Sequence, residues 1–259
     1  MGLEVAQMLE IVLFLHGYAT PGDPPDSAVA AAFASAGPAV EVYAPVGPQG
    51  PSRVDPFNPE GRASWFRYAT DLTATVPQRP DLAELEDVHD SLFDYPFAGN
   101  RRGLIAEVEY LCSRADSRSV AIVGESQGGI MAAFLARAWS QIHPDAPLGA
   151  LGLVRTAPDP STWRDLRPVS GAGWPRGEGH LPGPLAQRVA LVLGKDDEVF
   201  RPYAALYAIG PIVDTQSAAV SSRVLPGVTH ASHSDRVFET IAQMLVGAPD
   251  DGVSGRTEQ

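Results

Sequence analysis

The sequence predicts an α/β fold in which a mostly parallel central sheet is flanked by helices. Three observations carry this. Four short runs, Glu10–Leu15, Ser119–Val123, Leu148–Val154 and Val189–Leu193, are apolar and β-branched without alternation, the pattern of strands covered on both faces. Segments with helical spacing fall between strands, the order of βαβ units with right-handed crossovers. Finally, Gly124-Glu125-Ser126-Gln127-Gly128 stands where one of these strands runs into an Ala-rich helix, a G-x-S-x-G pattern in the strand-to-helix context that gives it meaning.

Taken in order, Glu10–Leu15 is the first strand and runs into His16-Gly17-Tyr18. Ser27–Ala36 opens on a serine and is followed by Gly37-Pro38, which are start and stop signals for a short helix. Val40–Ala44 is the second strand. Residues 45–100 are rich in proline and carry the aromatics Phe57, Trp65, Phe66, Tyr68, Phe93, Tyr95 and Phe97; long irregular connections of this kind are usually lids or binding loops. Within them Asp81–Asp90 is acidic and reads as a solvated face with a short helix. Arg101–Arg114 has Leu104, Ile105, Val108 and Leu111 on one helical face. The helix after Ser126 runs to about Gln141, and residues 156–184 form a second Pro/Gly-rich insertion holding Trp163 and Trp174. Tyr203–Ile209 reads as a helix, Ser222–Leu225 as a final short strand and Ser234–Leu245 as a closing helix. One domain over residues 1–246 is expected, with insertions at about 45–100 and 156–184 and a polar, disordered tail at 247–259.

A chain of 259 residues with 44% hydrophobic content can bury a single sizeable core. Its net charge of −12 argues against nucleic acid or an anionic membrane surface as the partner, because both want a basic face. Cys112 is the single cysteine, so no intrachain disulfide forms, and its helical setting suits a buried structural thiol. The N-terminus lacks the pattern of a signal peptide, and Ile11–Leu15 is too short to span a bilayer. A soluble, cytoplasmic protein is expected.

Ser126 is the candidate nucleophile. A turn sharp enough to present it in a cleft brings its neighbours against backbone, which is why glycine stands at 124 and 128. A serine hydroxyl needs a base to take its proton and an acid to orient that base. In a hydrolase of this turn type the order is Ser, then Asp or Glu, then His, each on a loop after a later strand. The strand Val189–Leu193 is followed by Gly194-Lys195-Asp196-Asp197-Glu198, and Ser222–Leu225 by Pro226-Gly227-Val228-Thr229-His230. Asp197 is the chosen acid among three adjacent carboxylates and His230 the chosen base, with His233 its competitor. His16, His89, His143 and His180 precede the acid loop and do not fit the order. The oxyanion donors expected are the N–H of Gln127, after the nucleophile, and that of Tyr18, after the first strand. The chemistry requires no metal and no cofactor.

Leu15-His16-Gly17, Ala44-Pro45 with the later Ser64-Trp65-Phe66, Gly124-Glu125-Ser126-Gln127-Gly128-Gly129, Gly194-Lys195-Asp196-Asp197-Glu198-Val199 and Gly227-Val228-Thr229-His230 together resemble the phospholipase/carboxylesterase family of α/β-hydrolases. That family includes bacterial carboxylesterases and acyl-protein thioesterases. The resemblance runs from about Leu9 to Leu245. It implies an α/β-hydrolase fold, places Ser126, Asp197 and His230 at the triad positions, and Tyr18 and Gln127 at the oxyanion positions. The implied activity is hydrolysis of a small to medium carboxylic ester or thioester through an acyl-enzyme, with a small molecule as partner. Three features depart from the family: Glu125 replaces an aromatic or apolar residue beside the nucleophile, the stretch from Ala69 to Asn100 is longer than in a minimal member, and Arg155-Thr156-Ala157-Pro158 follows a strand where Ser-Gly is expected. Trp65, Phe66 and Trp163 are aromatic candidates for lining a substrate pocket, against the plainer role of anchoring the insertions. Two other readings stand beside hydrolysis: acyl transfer or cyclisation with the same triad, and a non-catalytic ligand-binding module.

Overall fold

The computed structural model describes residues 8–18, 27–37, 40–48, 62–66, 85–95, 102–156, 185–202, 205, 219–232 and 235–246. In chain order the elements are β1 (Ile11–Leu15), α1 (Ser27–Ala36), β2 (Glu41–Tyr43), α2 (Leu85–His89) continued by a wider turn of π-helix (Asp90–Asp94), α3 (Gly103–Arg114), β3 (Val120–Glu125), α4 (Gln127–Ile142), β4 (Leu148–Val154), β5 (Ala186–Gly194), β6 (Ala219–Leu225) and α5 (Asp235–Val246). The six strands form one sheet in the order β2-β1-β3-β4-β5-β6, and every pairing is parallel. From β1 the chain steps outward to β2, then returns past β1 to lay down β3 and the strands beyond. The order therefore reverses between β1 and β3, and a crevice opens at the carboxyl ends of strands at such a point.

The unbroken apolar runs are explained by the two layers that cover the sheet. Along β1, Ile11, Leu13 and Leu15 join the core with α3 and α4, whereas Val12 and Phe14 join the core with α1 and α5. In β3, Val120 and Ile122 belong to the first core and Ala121 and Val123 to the second. Successive side chains of a strand point to opposite faces, so a strand buried on both must be apolar at every position. α5 contributes Val237, Phe238, Ile241, Ala242 and Leu245 to one core, the spacing of one helical stripe. Phe238 meets Phe14 edge-to-face with ring centroids 5.7 Å apart, and burying such a ring contributes about 1.5–3 kcal/mol.

Several bounds differ from the sequence expectation. β6 starts at Ala219 and is exposed at every position but its last. As an edge strand it is held by its backbone ladder to β5, which an apolarity search does not register. Asp81–Asp90 was expected to be a solvated face, yet Asp87 and Val88 are buried, because Val88 and the following Leu92 pack into the same core as Leu104 and Val108 of α3. The helix expected over Tyr203–Ile209, most of residues 45–100, residues 157–184 and the tail at 247–259 fall largely or wholly outside the described residues. None of the described helices is long and apolar enough to cross a membrane.

Candidate active site

β3 ends at Glu125 and α4 begins at Gln127, so Ser126 alone makes the turn between them. It does so with φ 51° and ψ −117°, a left-handed conformation that costs a serine roughly 1–3 kcal/mol and persists only where surrounding structure enforces it. The neighbours supply that enforcement. A Cβ on Gly124 would strike the carbonyl of Gly128, and one on Gly128 would strike the carbonyls of Leu15 and His16. The Ser126 N–H donates to the Val154 carbonyl at 2.9 Å, and its own carbonyl accepts from the Thr156 hydroxyl at 2.8 Å. The turn at Ser126 is thus pressed between the ends of β1 and β4, at the point where the strand order reverses.

The candidate base and acid, His230 and Asp197, lie on the loops after β6 and β5. The His230 ring Nε2 lies 3.0 Å from the Ser126 hydroxyl, and its Nδ1 lies 3.1 Å from Asp197 Oδ2. An ionised carboxylate only accepts, so Nδ1 carries the proton and Nε2 is left to accept from the serine. Asp197 is buried, and its other oxygen accepts from the N–H groups of Val199 at 2.9 Å and Phe200 at 2.7 Å. The Phe200 ring tilts against the imidazole with centroids 5.3 Å apart. The two flanking carboxylates have other work. Asp196 accepts from Gly227 N–H at 2.9 Å, and Glu198 accepts from the His230 backbone N–H at 3.2 Å. Both bind the acid loop to the histidine loop, which is also joined by backbone hydrogen bonds from the N–H groups of Lys195 and Asp196 to the carbonyls of Leu225 and Val228, at 2.9 and 3.1 Å.

On the other side of the nucleophile, His16-Gly17-Tyr18 follows β1 directly against the start of α4. His16 is buried, with Nδ1 2.7 Å from the Gly17 carbonyl and Nε2 accepting from Gly47 N–H at 2.8 Å. That pattern fixes a neutral ring, and burial is what holds its pKa below the ordinary value, against the upward pull of the Gly17 carbonyl and the Glu125 charge. Trp65 stacks on His16 at 4.7 Å and donates from its indole to the His16 carbonyl at 2.8 Å. The Gln127 side chain then accepts from Trp65 N–H at 2.8 Å and donates to the Phe66 carbonyl at 2.6 Å. The first residue of α4 therefore locks Trp65-Phe66 and, through it, the loop after β1.

The structure brings Ser126, His230 and Asp197 into one hydrogen-bonded chain, and sets Gln127 and the segment ending at Tyr18 on the side of Ser126 away from the acid loop. Trp65 and Phe66 are buried, bound to His16 and Gln127 beneath this arrangement. Trp163 and His233 lie outside the described residues. Sequence reasoning overlooked the Gln127 side chain and the Thr156 hydroxyl. The joint presence of Ser-Trp-Phe and Ser-Gln-Gly was the signal for the first, and the Arg155-Thr156 departure after the fourth strand was the signal for the second. Among the described residues, one group with metal-ligand chemistry, His89, Asp90 and Asp94, sits on the turn continuing α2, with its ligand atoms within 4.8 Å of one another. It shares no residue with the Ser126 site.

No protein-family profile matches the chain, and no curated protein matches it in sequence. Solved structures do. Esterase PE8 superposes with a TM-score of 0.62 at 18% identity, over 93% of this chain and 94% of its own. Arabidopsis thaliana SOBER1 gives a TM-score of 0.59 at 18% identity over 91% and 96%, and Zea mays acyl-protein thioesterase 2 gives 0.58 at 15% over 92% and 93%. Identities this low speak for the fold, and with one parallel sheet covered by helices on both faces that fold is the α/β-hydrolase fold.

Proposed function

We propose that the chain is a serine hydrolase of the carboxylesterase and thioesterase type, cleaving a small to medium acyl ester or thioester through an acyl-enzyme on Ser126. The observation that carries this reading is the hydrogen-bonded chain from the Ser126 hydroxyl through His230 to Asp197, at 3.0 and 3.1 Å, built on a strained turn. Such strain is stable only where neighbouring backbone imposes it, and it presents the hydroxyl to the crevice. An esterase and an acyl-protein thioesterase share the fold, which agrees with this chemistry.

In the first step the Ser126 oxygen bonds to the acyl carbon while its proton passes to His230 Nε2. The carbonyl electrons move onto oxygen, which the N–H groups of Gln127 and Tyr18 receive. As the bond to the leaving group breaks, His230 returns the proton to the departing alkoxide or thiolate. Water then repeats the sequence on the acyl-enzyme, and Asp197 holds the imidazole in the working tautomer throughout. No step calls on a metal or a cofactor. Ser126→Ala should lose hydrolysis of short p-nitrophenyl esters and labelling by a fluorophosphonate, and intact mass should show an acyl adduct on the wild type alone. A paired ester and thioester panel identifies the leaving group. Turnover by Ser126→Ala at the wild-type rate would end the proposal.

A further inference from the structure

Two of the departures seen in the sequence, Glu125 beside the nucleophile and Arg155 after β4, meet in the structure. Glu125 lies opposite Val154 in the β3–β4 register, so the residue after Val154 reaches it directly. One terminal nitrogen of Arg155 is paired with the Glu125 carboxylate. The other donates to the carbonyls of Thr229, at 3.1 Å, and Ser232. Those carbonyls stand on either side of His230. The Ser232 hydroxyl closes the same turn, accepting from Thr229 N–H at 3.2 Å and donating to the Thr229 carbonyl at 2.9 Å. Arg155 holds φ 46°, a left-handed conformation uncommon outside glycine, while its N–H donates to the Val192 carbonyl at 2.8 Å. The guanidinium is buried, and the carboxylate is nearly so.

We propose that Arg155, braced by Glu125, is a positioning residue for His230: it ties the histidine loop to the nucleophile turn and balances the Glu125 carboxylate next to Ser126. The inference rests on the reading of Ser126 and His230 as nucleophile and base. A guanidinium suits this task because its flat fork meets a carboxylate and two carbonyls at once, which a lysine ammonium on a single stem does not. Neither ion stands alone, since a buried charge stripped of its partner is strongly unfavourable. Around His230 stand Asp197 and Glu198 from the loop after β5, Ser126 from the nucleophile turn, and Arg155, paired with Glu125, on the carbonyls that flank it. His16, at the end of β1, also lies within the field of Glu125.

The signs follow from the charges. Removing the guanidinium leaves a carboxylate acting on the imidazole, which favours the protonated ring that cannot serve as base. The acid limb of the kcat/KM profile then moves to higher pH. Removing the carboxylate leaves a cation and moves the limb to lower pH. The test is steady-state hydrolysis of a short p-nitrophenyl ester across pH by the wild type, Glu125→Gln, Arg155→Lys and Arg155→Met. Arg155→Met is expected to lose on the order of 10- to 100-fold in plateau kcat, with KM within about twofold, as a misplaced base requires. Its limb should rise by roughly half a unit or more, and that of Glu125→Gln should fall by a similar amount. Arg155→Lys keeps the charge, so its limb should stay in place while kcat falls on the order of tenfold. A loss of stability alone moves neither limb. Should Arg155→Met fail to fold, the other two variants carry the test. An unmoved limb in Glu125→Gln, or wild-type kcat in Arg155→Lys, overturns the proposal while the hydrolase reading stands. A wild type that neither turns over esters nor labels with a fluorophosphonate overturns both.

Discussion

Asp197→Asn replaces one oxygen of the proposed acid by an NH₂ group, and the structure dictates which one. Asp197 Oδ1 accepts two backbone N–H bonds, from Val199 and Phe200 at 2.9 and 2.7 Å. An asparagine must keep its carbonyl there, because an amide NH₂ would meet two donors. Its NH₂ therefore occupies the Oδ2 position, 3.1 Å from His230 Nδ1, and as a donor it requires Nδ1 to be unprotonated. The imidazole proton moves to Nε2 and points at the Ser126 hydroxyl, so the ring no longer accepts from the nucleophile. Inverting the tautomer in a triad of this kind costs about 10⁴ in kcat, which at 1.36 kcal/mol per tenfold is about 5 kcal/mol of transition-state stabilisation. KM should hardly change, since nothing that contacts the substrate has moved. Steady-state kinetics on a p-nitrophenyl ester, beside Asp196→Asn and Glu198→Gln, provide the measurement. Those two carboxylates join loops at exposed positions, and their variants should stay within about threefold, an effect of roughly 0.5 kcal/mol. If Asp197→Asn keeps more than a tenth of wild-type kcat, or if Asp196→Asn or Glu198→Gln suffers the larger loss, the assignment of the acid is wrong.

Gly128→Ala puts a methyl group against the carbonyls of Leu15 and His16, on a strand held by β2 and β3 on both sides. Urea unfolding should show a loss of about 1–3 kcal/mol or more, and kcat should fall because relief of the clash displaces the segment that carries Tyr18. By contrast Gly227→Ala meets no atom within 4 Å, and only its φ of 72° opposes the change, so about 1 kcal/mol is expected; equal losses at the two positions would contradict the steric argument. His16 has a folded pKa below its ordinary 6.5, so below that pH the unfolded chain takes up a proton that the folded one refuses. Stability from this group is fully present above about 6.5 and is lost as pH falls through 6.5 toward the folded value; urea midpoints at pH 7.5 and 5.5 should show a smaller drop in His16→Gln, and an unchanged drop would refute it. Burial pushes the Cys112 thiol up to about 12, so iodoacetamide at pH 8 should label it only in denaturant, and rapid labelling of the native protein would show a thiol far more accessible and acidic than that.

Order along the chain was what made the site readable. Ser126, the acid loop and the histidine loop each follow a strand, and in a parallel sheet every strand delivers its carboxyl end to the same edge. Locating the strands was thus enough to bring three distant loops together. Asp197 could not be separated from Asp196 and Glu198 by sequence, because the distinction lies in which carboxylate turns inward onto Val199 and Phe200 N–H. β6 was only partly recognised, since its polar residues face solvent and its pairing resides in the backbone. Glu125 and Arg155 each looked like an isolated oddity; the β3–β4 register, which a single sequence does not display, makes them one feature.

The exposure of β6 has a consequence for how the protein comes apart. Cooperative units that bury little apolar surface open at free energies well below that of global unfolding, and β6 is exposed along nearly all of its length. His230, the proposed base, rides on the loop leaving this strand, 104 residues from Ser126. Closing a contact so distant in sequence carries a loop-closure cost that local contacts do not. Partial opening at this edge separates His230 from Ser126 while β1, β3 and β4 remain intact. Esterase activity of the proposed site should therefore vanish in denaturant before the circular dichroism of the remaining sheet and helices changes.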